Sequence, residues 1–431
     1  MKPGLSSFAF VTLVFALLCF PLVFSTRTGG YADDEDNYYL PAVRQIRDHW
    51  PALDLTRDAL SAVSPGYPYL LATVSFATGP GRVALRLVTW GLSLALLGLL
   101  WRLFPSAASI VATAALLPLA CSNFFVKSAS WIVTDNPALL CATGALAAVF
   151  LLPSSRGGWL GGLAAGAATF LRQVHVWTAF PVALRAVPRF RPKQAPRSPV
   201  RALLPALIPL AVLGLLAARW HGLVPPQWQE AVALRGPLTG APLCYLLAVF
   251  VLLGAFYQWA LPTDGAWTDW SARPTLIAGA AGLVLILANP SNYDMPAGRW
   301  GGYLWSAAAH LPVIGQRSLL FVMLVPAGAA LLAVMTRRLA RHAGSGLAWL
   351  WVGSFLAWAA TALSNRLVFH RYFESTILVF LVFWVLLLIR AQPGLPAFRA
   401  NRLYALALAQ GLITLATAHY QTYGGGLFPG H

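Results

Sequence analysis

The feature that most constrains this chain is a succession of long apolar segments separated by short polar loops. Of the 431 residues, 58% are hydrophobic and 10% are charged, and the mean hydropathy is +0.67. A soluble domain of this length does not bury so much apolar surface, whereas about 20 apolar residues span a bilayer as one helix. The sequence therefore predicts an all-α, polytopic membrane protein with about 11–13 transmembrane helices.

The predicted apolar segments follow one another along nearly the whole chain. They lie at approximately 8–24, 83–104, 107–123, 137–152, 202–218, 242–259, 275–288, 318–335, 348–363, 375–389 and 404–418, with two short helices expected between 157 and 187. The first run is longer than a typical signal-peptide core and no clean cleavage site follows it, so we expect a retained helix.

The basic residues indicate how the chain is oriented in the membrane. Thirty Lys and Arg residues against 13 Asp and Glu residues give a formal net charge of +17. They are scattered and form no dense patch of the kind that binds nucleic acid. They collect instead in loops such as 189–201, RFRPKQAPRSPVR, which are predicted to be cytoplasmic. Lys2 precedes the first helix and acids follow it, so the N-terminus is expected in the cytoplasm.

The positions of the four cysteines and the absence of several sequence motifs argue against metal-dependent, cofactor-dependent and ATP-driven reactions. The cysteines lie in or beside apolar stretches without metal-type spacing, and we interpret them as packing residues (Cys19, Cys121, Cys141 and Cys244). The sequence has no Gly-rich phosphate loop, no Ser-His-Asp signature and no Cys/His cluster. We therefore expect no cofactor, no essential metal ion and no ATP-driven chemistry.

The segment from Tyr31 to Tyr69 is the main polar interruption, and it holds seven of the 13 acidic residues. The run Asp33–Asp36 cannot enter a bilayer, because each charge there costs several kcal/mol. Adjacent carboxylates repel one another, and a carboxylate held in water at the membrane face suits a general base. The alternative is a solvated acidic loop. Apolar residues between Tyr39 and Trp50 recur at helical spacing, which predicts an interfacial helix in this first outer loop.

The predicted outer face is rich in acids, arginines, histidines and aromatic residues. Eleven of the 13 acids fall on it, all except Asp264 and Asp269. The arginines and histidines on this face include Arg172, Arg299, Arg366, Arg371, His175 and His221. Because arginine grips phosphate through two parallel hydrogen bonds, a carboxylate among such arginines suits a lipid-phosphate substrate.

Two acidic motifs carry a resemblance to a known class of enzymes. The first is Asp34-Glu35-Asp36-Asn37-Tyr38 in the first outer loop, and the second is Val133-Thr134-Asp135-Asn136-Pro137 after the third helix. Together they resemble the glycosyltransferases of the GT-C class, which use polyprenyl-phosphate sugars. More narrowly, the chain is similar to the dolichyl-phosphate-glucose α-1,2-glucosyltransferase family. The other matching pieces, in the family's order, are the Pro41 region, Ser64-Pro65-Gly66-Tyr67, Phe170-Leu171-Arg172-Gln173 with Trp177, Trp220-His221-Gly222-Leu223-Val224, Gly298-Arg299 with Tyr303-Leu304-Trp305, and Arg371-Tyr372-Phe373.

This resemblance implies an inverting transfer of a hexose, with glucose favoured, to an acceptor hydroxyl at the extracytoplasmic face. It implies Asp34 as general base, with Glu35 and Asp135 as the other catalytic candidates. The substrate-binding residues that it implies are Arg172, Gln173, His221, Arg299, Tyr303, Arg371 and Tyr372. The partners would be a polyprenyl-phosphate-linked sugar, a glycan or lipid-linked acceptor, and the bilayer (the inner membrane in a prokaryote). Residues 1–187, with outer loops 25–81 and 124–136, would form the catalytic-type module, and 188–431 a variable C-terminal module.

The chain departs from the family in ways that leave alternatives open. Its acidic run is longer than the family's Asp-Glu pair, so any acid from Asp33 to Asp36 can be the base, and Tyr39 stands where the family has His. Asp135 also fits the start of a helix before a proline, and outer arginines also reach the membrane interface without binding a ligand. The rival functions are a transporter or flippase for lipid-linked sugars, which requires charged residues within spans and inverted repeats, and a protein O-mannosyltransferase-like or lipid A-modifying transferase.

Overall fold

The first half of the chain is built from helices that end at prolines, glycines and polar turns. The computed structural model describes residues 3–26, 32–152, 155–187, 199–233, 239–261, 269–364, 367–392 and 398–423. The helices to residue 233 are α1 (Pro3–Val23), α2 (Ala32–Asp34), a π-helical turn (Glu35–Tyr39), α3 (Leu40–Asp48), α4 (Gly66–Thr78), α5 (Arg82–Leu103), a 3₁₀ turn (Ser106–Ala108), α6 (Ser109–Cys121), α7 (Asn123–Ser130), α8 (Asp135–Leu151), α9 (Ser155–Leu171), a 3₁₀ segment (Gln173–Thr178), α10 (Ala179–Leu184), α11 (Pro199–Trp220) and α12 (Pro226–Ala233).

The second half continues in the same way, with one small hairpin. Its elements are α13 (Ala241–Trp259), α14 (Arg273–Ala288), α15 (Tyr303–Ala309), β1 (Val313–Ile314), β2 (Arg317–Ser318), α16 (Leu319–Ala343), α17 (Ser345–Ala362), a 3₁₀ turn (His370–Tyr372), α18 (Glu374–Ala391), α19 (Ala400–Thr414), a second π-helical turn (Leu415–His419) and α20 (Tyr420–Tyr423). The two strands are antiparallel, with Val313 opposite Ser318 and Ile314 opposite Arg317.

Seven helices within the described ranges are long and apolar enough to cross a bilayer, and the number is eight if the bent pair α6 and α7 forms one span. The seven segments are Ser6–Val23, Arg82–Leu103, Val200–Trp220, Ala241–Trp259, Leu319–Ala343, Ser345–Ala362 and His370–Ala391. The chain is therefore an all-α, multi-pass membrane protein, as the sequence predicted.

Within the described ranges, the number of helices long enough to span a bilayer is smaller than the 11–13 spans predicted. The helices α8 and α14 are apolar but have 17 and 16 residues. At 1.5 Å per residue such helices fall short of a hydrocarbon core about 30 Å thick. The second of the two short helices expected between 157 and 187 forms a 3₁₀ segment followed by the six-residue α10.

The chain divides into two compact units. Unit 1 contains Met1–Ser109, Leu116–Glu230 and Ala407–His431, and unit 2 contains Ile110–Ala115 and Ala231–Leu406. The prediction of a catalytic-type module at 1–187 and a variable module at 188–431 concerned catalytic roles, and the division into two compact units does not test it. The predicted outer residue Arg366, the acid Asp264 and most of the basic loop 189–201 lie outside the described residues.

Small residues let helices approach closely in each unit. In unit 1, a Cβ added at Gly162 on α9 would collide with the backbone of Pro205 on α11. In unit 2, a Cβ at Gly328 on α16 would collide with the backbone of Leu247 on α13. Such contacts are typical of membrane helices, whose association depends on close van der Waals packing.

The apolar core of unit 1 lies directly beneath the first acidic motif. Its fully buried side chains include Val43 and Ile46 from α3, Leu71 from α4, and Ile132 just before α8. The helical spacing predicted for residues 39–50 is thus the face that α3 buries against α4. The position of these two helices relative to a bilayer stays a prediction.

Candidate functional site

The first acidic motif is folded around a π-helical turn. In this turn, Glu35–Tyr39, the N–H of Leu40 bonds to the carbonyl of Glu35, five residues earlier. The turn contains one residue more than an α-helical turn, and such turns occur frequently at functional sites. Glu35 and Tyr39 are buried, whereas Asp33 is exposed and Asp34 and Asp36 are partly exposed. Four consecutive carboxylates therefore occupy different environments.

Glu35 is fully buried and engaged by charged and backbone donors. Arg86, itself 0% exposed, donates from Nη2 to Oε1 at 2.8 Å and from Nε to Oε2 at 2.9 Å. The N–H of Ile132 donates to Oε2 at 2.9 Å, and Arg82 Nε lies 3.1 Å from Oε1. A base must reach the acceptor hydroxyl, whereas this carboxylate is enclosed by its donors. The surroundings of Glu35 do not favour the catalytic role predicted for it, and that role stays a prediction. Arg86, its main partner, was not identified from the sequence.

Asp36 and Asp34 are the partly exposed acids of the motif. Asp36 pairs with Arg82, and both side chains are about one-third exposed. Asp34 ends α2, one residue before the π turn, and its charge acts on the buried hydroxyl of Tyr39. Asp34 therefore combines partial exposure with proximity to the second motif, to which Tyr39 is joined.

The second motif forms an ion pair at the start of α8. Asp135, in the first turn of this helix, pairs with Nη1 of Arg172, and the two side chains are 20% and 15% exposed. Thr134 makes no capping bond through its side chain to the helix but lies with Oγ1 3.4 Å from Tyr39 Oη. The next residue, Asn136, donates to the carbonyl of Phe125 at 2.9 Å. Asp135 is therefore partly exposed, whereas Thr134 and Asn136 on either side of it are buried.

Burial and nearby charges set the protonation of the two aromatic groups beside this pair. Burial raises the pKa of the Tyr39 hydroxyl far above its usual value; Arg172 opposes this shift, while Asp135 and Asp34 add to it. Burial also lowers the pKa of His175 to about 3, Arg172 lowers it further and Asp135 opposes the change. At neutral pH both side chains are therefore uncharged, beside one arginine and two acids.

Gln173 has a role that the sequence did not reveal. Its Oε1 accepts from the backbone N–H of Ser64 at 2.8 Å and from Ser64 Oγ at 3.0 Å, and its Nε2 donates to the carbonyl of Ala62 at 2.9 Å. Gln173 thus joins the end of α9 to the segment before α4, more than 100 residues earlier. Its predicted role in binding substrate remains a prediction, and its amide already binds within the chain.

His221 lies in an exposed turn after α11. Its backbone is in the left-handed region, with φ of 53°. The preceding Trp220 is buried and donates to the carbonyl of Leu55 at 3.1 Å, and Gln227 on α12 donates to the carbonyl of Ala59. The turn carrying His221 therefore helps to hold the loop between α3 and α4, while the imidazole itself faces outward.

The other four predicted substrate-binding residues all belong to unit 2, within or directly after two segments that pair with each other. Residues 298–301 and 368–370 are joined by two backbone bonds, Val368 N–H to Gly298 and His370 N–H to Gly301. Arg299 binds Asp294 Oδ2 at 2.9 Å and Asn292 Oδ1 at 3.1 Å and closes its own loop.

Arg371 and Tyr303 have different surroundings within that pair of segments. The guanidinium of Arg371 lies 5.2 Å from the ring centre of Tyr372 and 5.6 Å from that of Phe369. Tyr303 donates its hydroxyl to Glu374. The phosphate-binding role predicted for Arg371 stays a prediction.

Unit 2 also contains a buried polar chain that sequence reasoning missed. Tyr245 Oη lies 2.8 Å from His370 Nδ1, and His370 Nε2 lies 2.7 Å from Glu374 Oε2. All three residues are 0% exposed. The signal available in the sequence was the four-residue spacing of His370 and Glu374 just before a long apolar run, since that spacing brings two side chains together on a helix.

Comparisons with known proteins do not place the chain in a family. No family model, no curated protein and no solved structure matches it. Within the described ranges, no group of three or more His, Cys, Asp or Glu residues could hold a metal ion. The candidate site is therefore defined by its own geometry, the Asp34, Tyr39, Asp135, Arg172 and His175 cluster of unit 1.

Proposed function

We propose that this chain is an integral-membrane glycosyltransferase that transfers a hexose, with glucose favoured, from a polyprenyl-phosphate carrier to an acceptor hydroxyl at the extracytoplasmic face. The observation that carries the proposal is the unit 1 cluster, in which the two acidic motifs of the sequence meet around Tyr39. A partly exposed carboxylate, a partly exposed Asp–Arg pair and a neutral histidine lie there together.

Asp34 is the group that we assign as general base. It is partly exposed and its charge reaches Tyr39, which contacts the second acidic motif, whereas Glu35 is enclosed by Arg86. In the reaction, Asp34 takes the proton of the acceptor hydroxyl, and the acceptor oxygen forms a bond to the anomeric carbon of the sugar. The bond from that carbon to the phosphate oxygen breaks, and the configuration inverts in a single displacement.

Arg172 is the group that we assign to the departing phosphate. A guanidinium presents five N–H donors in a planar fork, and Asp135 engages it at Nη1. Asp135 then orients the guanidinium while the phosphate gains negative charge. Arg371 stays a second candidate for phosphate binding, on its own surface in unit 2.

His175 supports a hydroxylated ligand at the same place. It is 6% exposed, and among the described residues its Nδ1 finds no hydrogen-bond partner. Buried polar atoms in native proteins are almost always satisfied by protein, water or ligand. A neutral imidazole beside Arg172 is suited to a sugar hydroxyl, since it donates at one nitrogen and accepts at the other.

The test is transfer of radiolabel from polyprenyl-phosphate-glucose in membranes that contain the overexpressed chain. We expect a labelled lipid or polymer product, and a loss of roughly 100-fold or more in rate for Asp34→Asn, since general-base catalysis contributes about 10²–10⁴-fold. The matched control is Asp48→Asn, which neutralises an exposed acid on α3 and should leave the rate near that of the wild type.

Two outcomes contradict the proposal at different levels. Full transfer by a folded Asp34→Asn protein shows that another acid is the base. No transfer from glucose, mannose or other polyprenyl-phosphate sugars, together with movement of the lipid across the bilayer, identifies a transporter instead.

A further inference from the structure

The enclosed Glu35 joins three parts of unit 1 that are far apart in the sequence. Its carboxylate binds Arg86 on α5, 51 residues away, and the N–H of Ile132, 97 residues away. Arg86 in turn donates from Nη1 to the carbonyls of Val23 at 3.2 Å and Ser25 at 2.9 Å, at the end of α1. One carboxylate and one guanidinium thus connect α1, α5, the first acidic motif and the segment before α8.

The contact with Ile132 links the two acidic motifs directly. Glu35 follows Asp34 in the chain, and Ile132 precedes Asp135 by three residues. The π turn fixes the direction in which Glu35 points. The carbonyl of Glu35 accepts from the N–H of Leu40, and Tyr39, the last residue of the turn, is buried. The hydrogen bond of 2.9 Å between Ile132 N–H and Glu35 Oε2 therefore sets the relative position of the backbone beside Asp34 and the backbone beside Asp135.

The same arrangement explains why an ion pair stands where an apolar side chain would pack. A buried carboxylate without a partner is strongly destabilising, so an enclosed Glu35 needs the opposite charge of Arg86 beside it. An apolar residue of similar size would fill the space, but it would leave the N–H of Ile132 without an acceptor. The acceptor oxygen and its position distinguish Glu35 from a packing residue.

We propose that Glu35 is a positioning residue, whose side-chain oxygen accepts from the N–H of Ile132 and so fixes the distance and orientation between the Asp34 and Asp135 segments. This inference rests on the proposed function for its effect on catalysis, whereas the link itself can be tested without any activity.

The experiment compares two double variants that both remove the buried charges. Glu35→Gln/Arg86→Met keeps an oxygen that can accept from Ile132 N–H, and Glu35→Leu/Arg86→Met does not. Each variant is purified in detergent, and its thermal unfolding is compared with that of the wild type, so that loss of the fold is detected first. Replacing a buried ion pair by uncharged groups of similar volume is frequently tolerated.

Hydrogen–deuterium exchange of the peptide covering 131–136 measures directly whether the N–H of Ile132 is still hydrogen-bonded. We expect exchange in the Leu variant to be faster than in the wild type, and exchange in the Gln variant to stay close to it. Equal exchange in the two variants would falsify the link, whatever the protein catalyses.

Measurements of kcat and KM then test the effect of this hydrogen bond on the reaction. We expect the Leu variant to lose roughly 100-fold in kcat, the scale expected from a misplacement of about 1 Å, while its KM for the donor changes little. The Gln variant should restore most of that loss. If the two variants have equal kcat although only one keeps the exchange protection, the positioning role is wrong. A wild-type protein that transfers no sugar refutes the proposed function, and the exchange result still decides the link.

Discussion

At the scale of single residues, the clearest electrostatic feature outside the spans is a histidine held in the neutral state. Burial lowers the pKa of His175 to about 3, and the nearby Arg172 lowers it further. In the unfolded chain this imidazole titrates near its usual value of about 6.5. Between these values the unfolded chain binds more protons than the folded protein, so the free energy of unfolding decreases as the pH falls.

We therefore expect His175→Gln to remove part of this acid sensitivity. The wild-type free energy of unfolding should decrease between about pH 6.5 and pH 3 by up to about 1.4 kcal/mol per pH unit from this group alone. Thermal unfolding in detergent across that range provides the measurement. His310→Gln, at an exposed histidine, is the control and should keep the wild-type slope. Identical slopes for all three proteins would show that His175 is charged in the fold.

The residues chosen from the two acidic motifs and from Arg172 lie near one another in the structure, around Tyr39. The catalytic and binding roles of Asp34, Asp135 and Arg172 stay predictions. The separation of Glu35 from its neighbours was not predictable, because the run of four acids carries no signal for which one points inward. Its partner Arg86 lies in an apolar helix and 51 residues away, and hydropathy does not report such a pairing.

At the scale of elements, the loop between α3 and α4 is held at both sides by side chains from distant helices. Gln173 binds the Ser64 end, and Trp220 binds the carbonyl of Leu55. Within the loop, Asp58 is fully buried and accepts from the Tyr69 hydroxyl at 3.3 Å. The loop is therefore an ordered part of unit 1 and borders the candidate site.

We expect Gln173→Ala to loosen this loop without unfolding the protein. The substitution removes the acceptor of the buried Ser64 N–H, and leaving such a group unsatisfied costs about 1–3 kcal/mol. Faster hydrogen exchange over residues 60–66 and a lower melting temperature are the expected results. Asn401→Ala, at an exposed helical position on α19, is the control and should change neither quantity. Unchanged exchange in Gln173→Ala would mean that the loop is held mainly by α11 and α12.

Helix boundaries were predicted well where apolar composition alone determines them. The segment predicted at 83–104 forms α5, Arg82–Leu103, and the one predicted at 137–152 forms α8, Asp135–Leu151. The π turn and the 3₁₀ segment after α9 were not predicted, since both depend on tertiary contacts of Glu35 and Gln173. The 11–13 predicted spans exceed the seven or eight long apolar helices of the described ranges, because an apolar stretch in a sequence does not show where its helix breaks.

At the scale of the whole molecule, the predicted site residues are divided between two units. Unit 1 contains both acidic motifs, Arg172, Gln173 and His221, and unit 2 contains the other four predicted ligands. The proposed catalytic step uses unit 1, and unit 2 carries its own buried chain of Tyr245, His370 and Glu374.

The predicted topology can be tested in intact cells by cysteine labelling. In a background without the four native cysteines, we expect Thr78→Cys, in the first outer loop, to react with a membrane-impermeant maleimide from outside. Ser345→Cys, in a predicted cytoplasmic loop, should react only after permeabilisation. Both positions are exposed, so accessibility depends on the side of the membrane. Labelling of both sites from outside, or only of Ser345→Cys, would refute the positive-inside assignment.

The π turn between Glu35 and Tyr39 makes the acidic run sensitive to its length. Each residue of an α-helix turns the chain by about 100°, so deleting one acid would rotate all preceding residues about the helix axis. A different acid would then face Arg86, and another would stand beside Tyr39. The four acids have similar chemistry but different surroundings. The surroundings of each acid depend on how many residues separate it from Tyr39. When this segment is aligned with that of any other chain, a gap placed within Asp33–Asp36 would therefore pair the proposed base, Asp34, with the position of the enclosed Glu35.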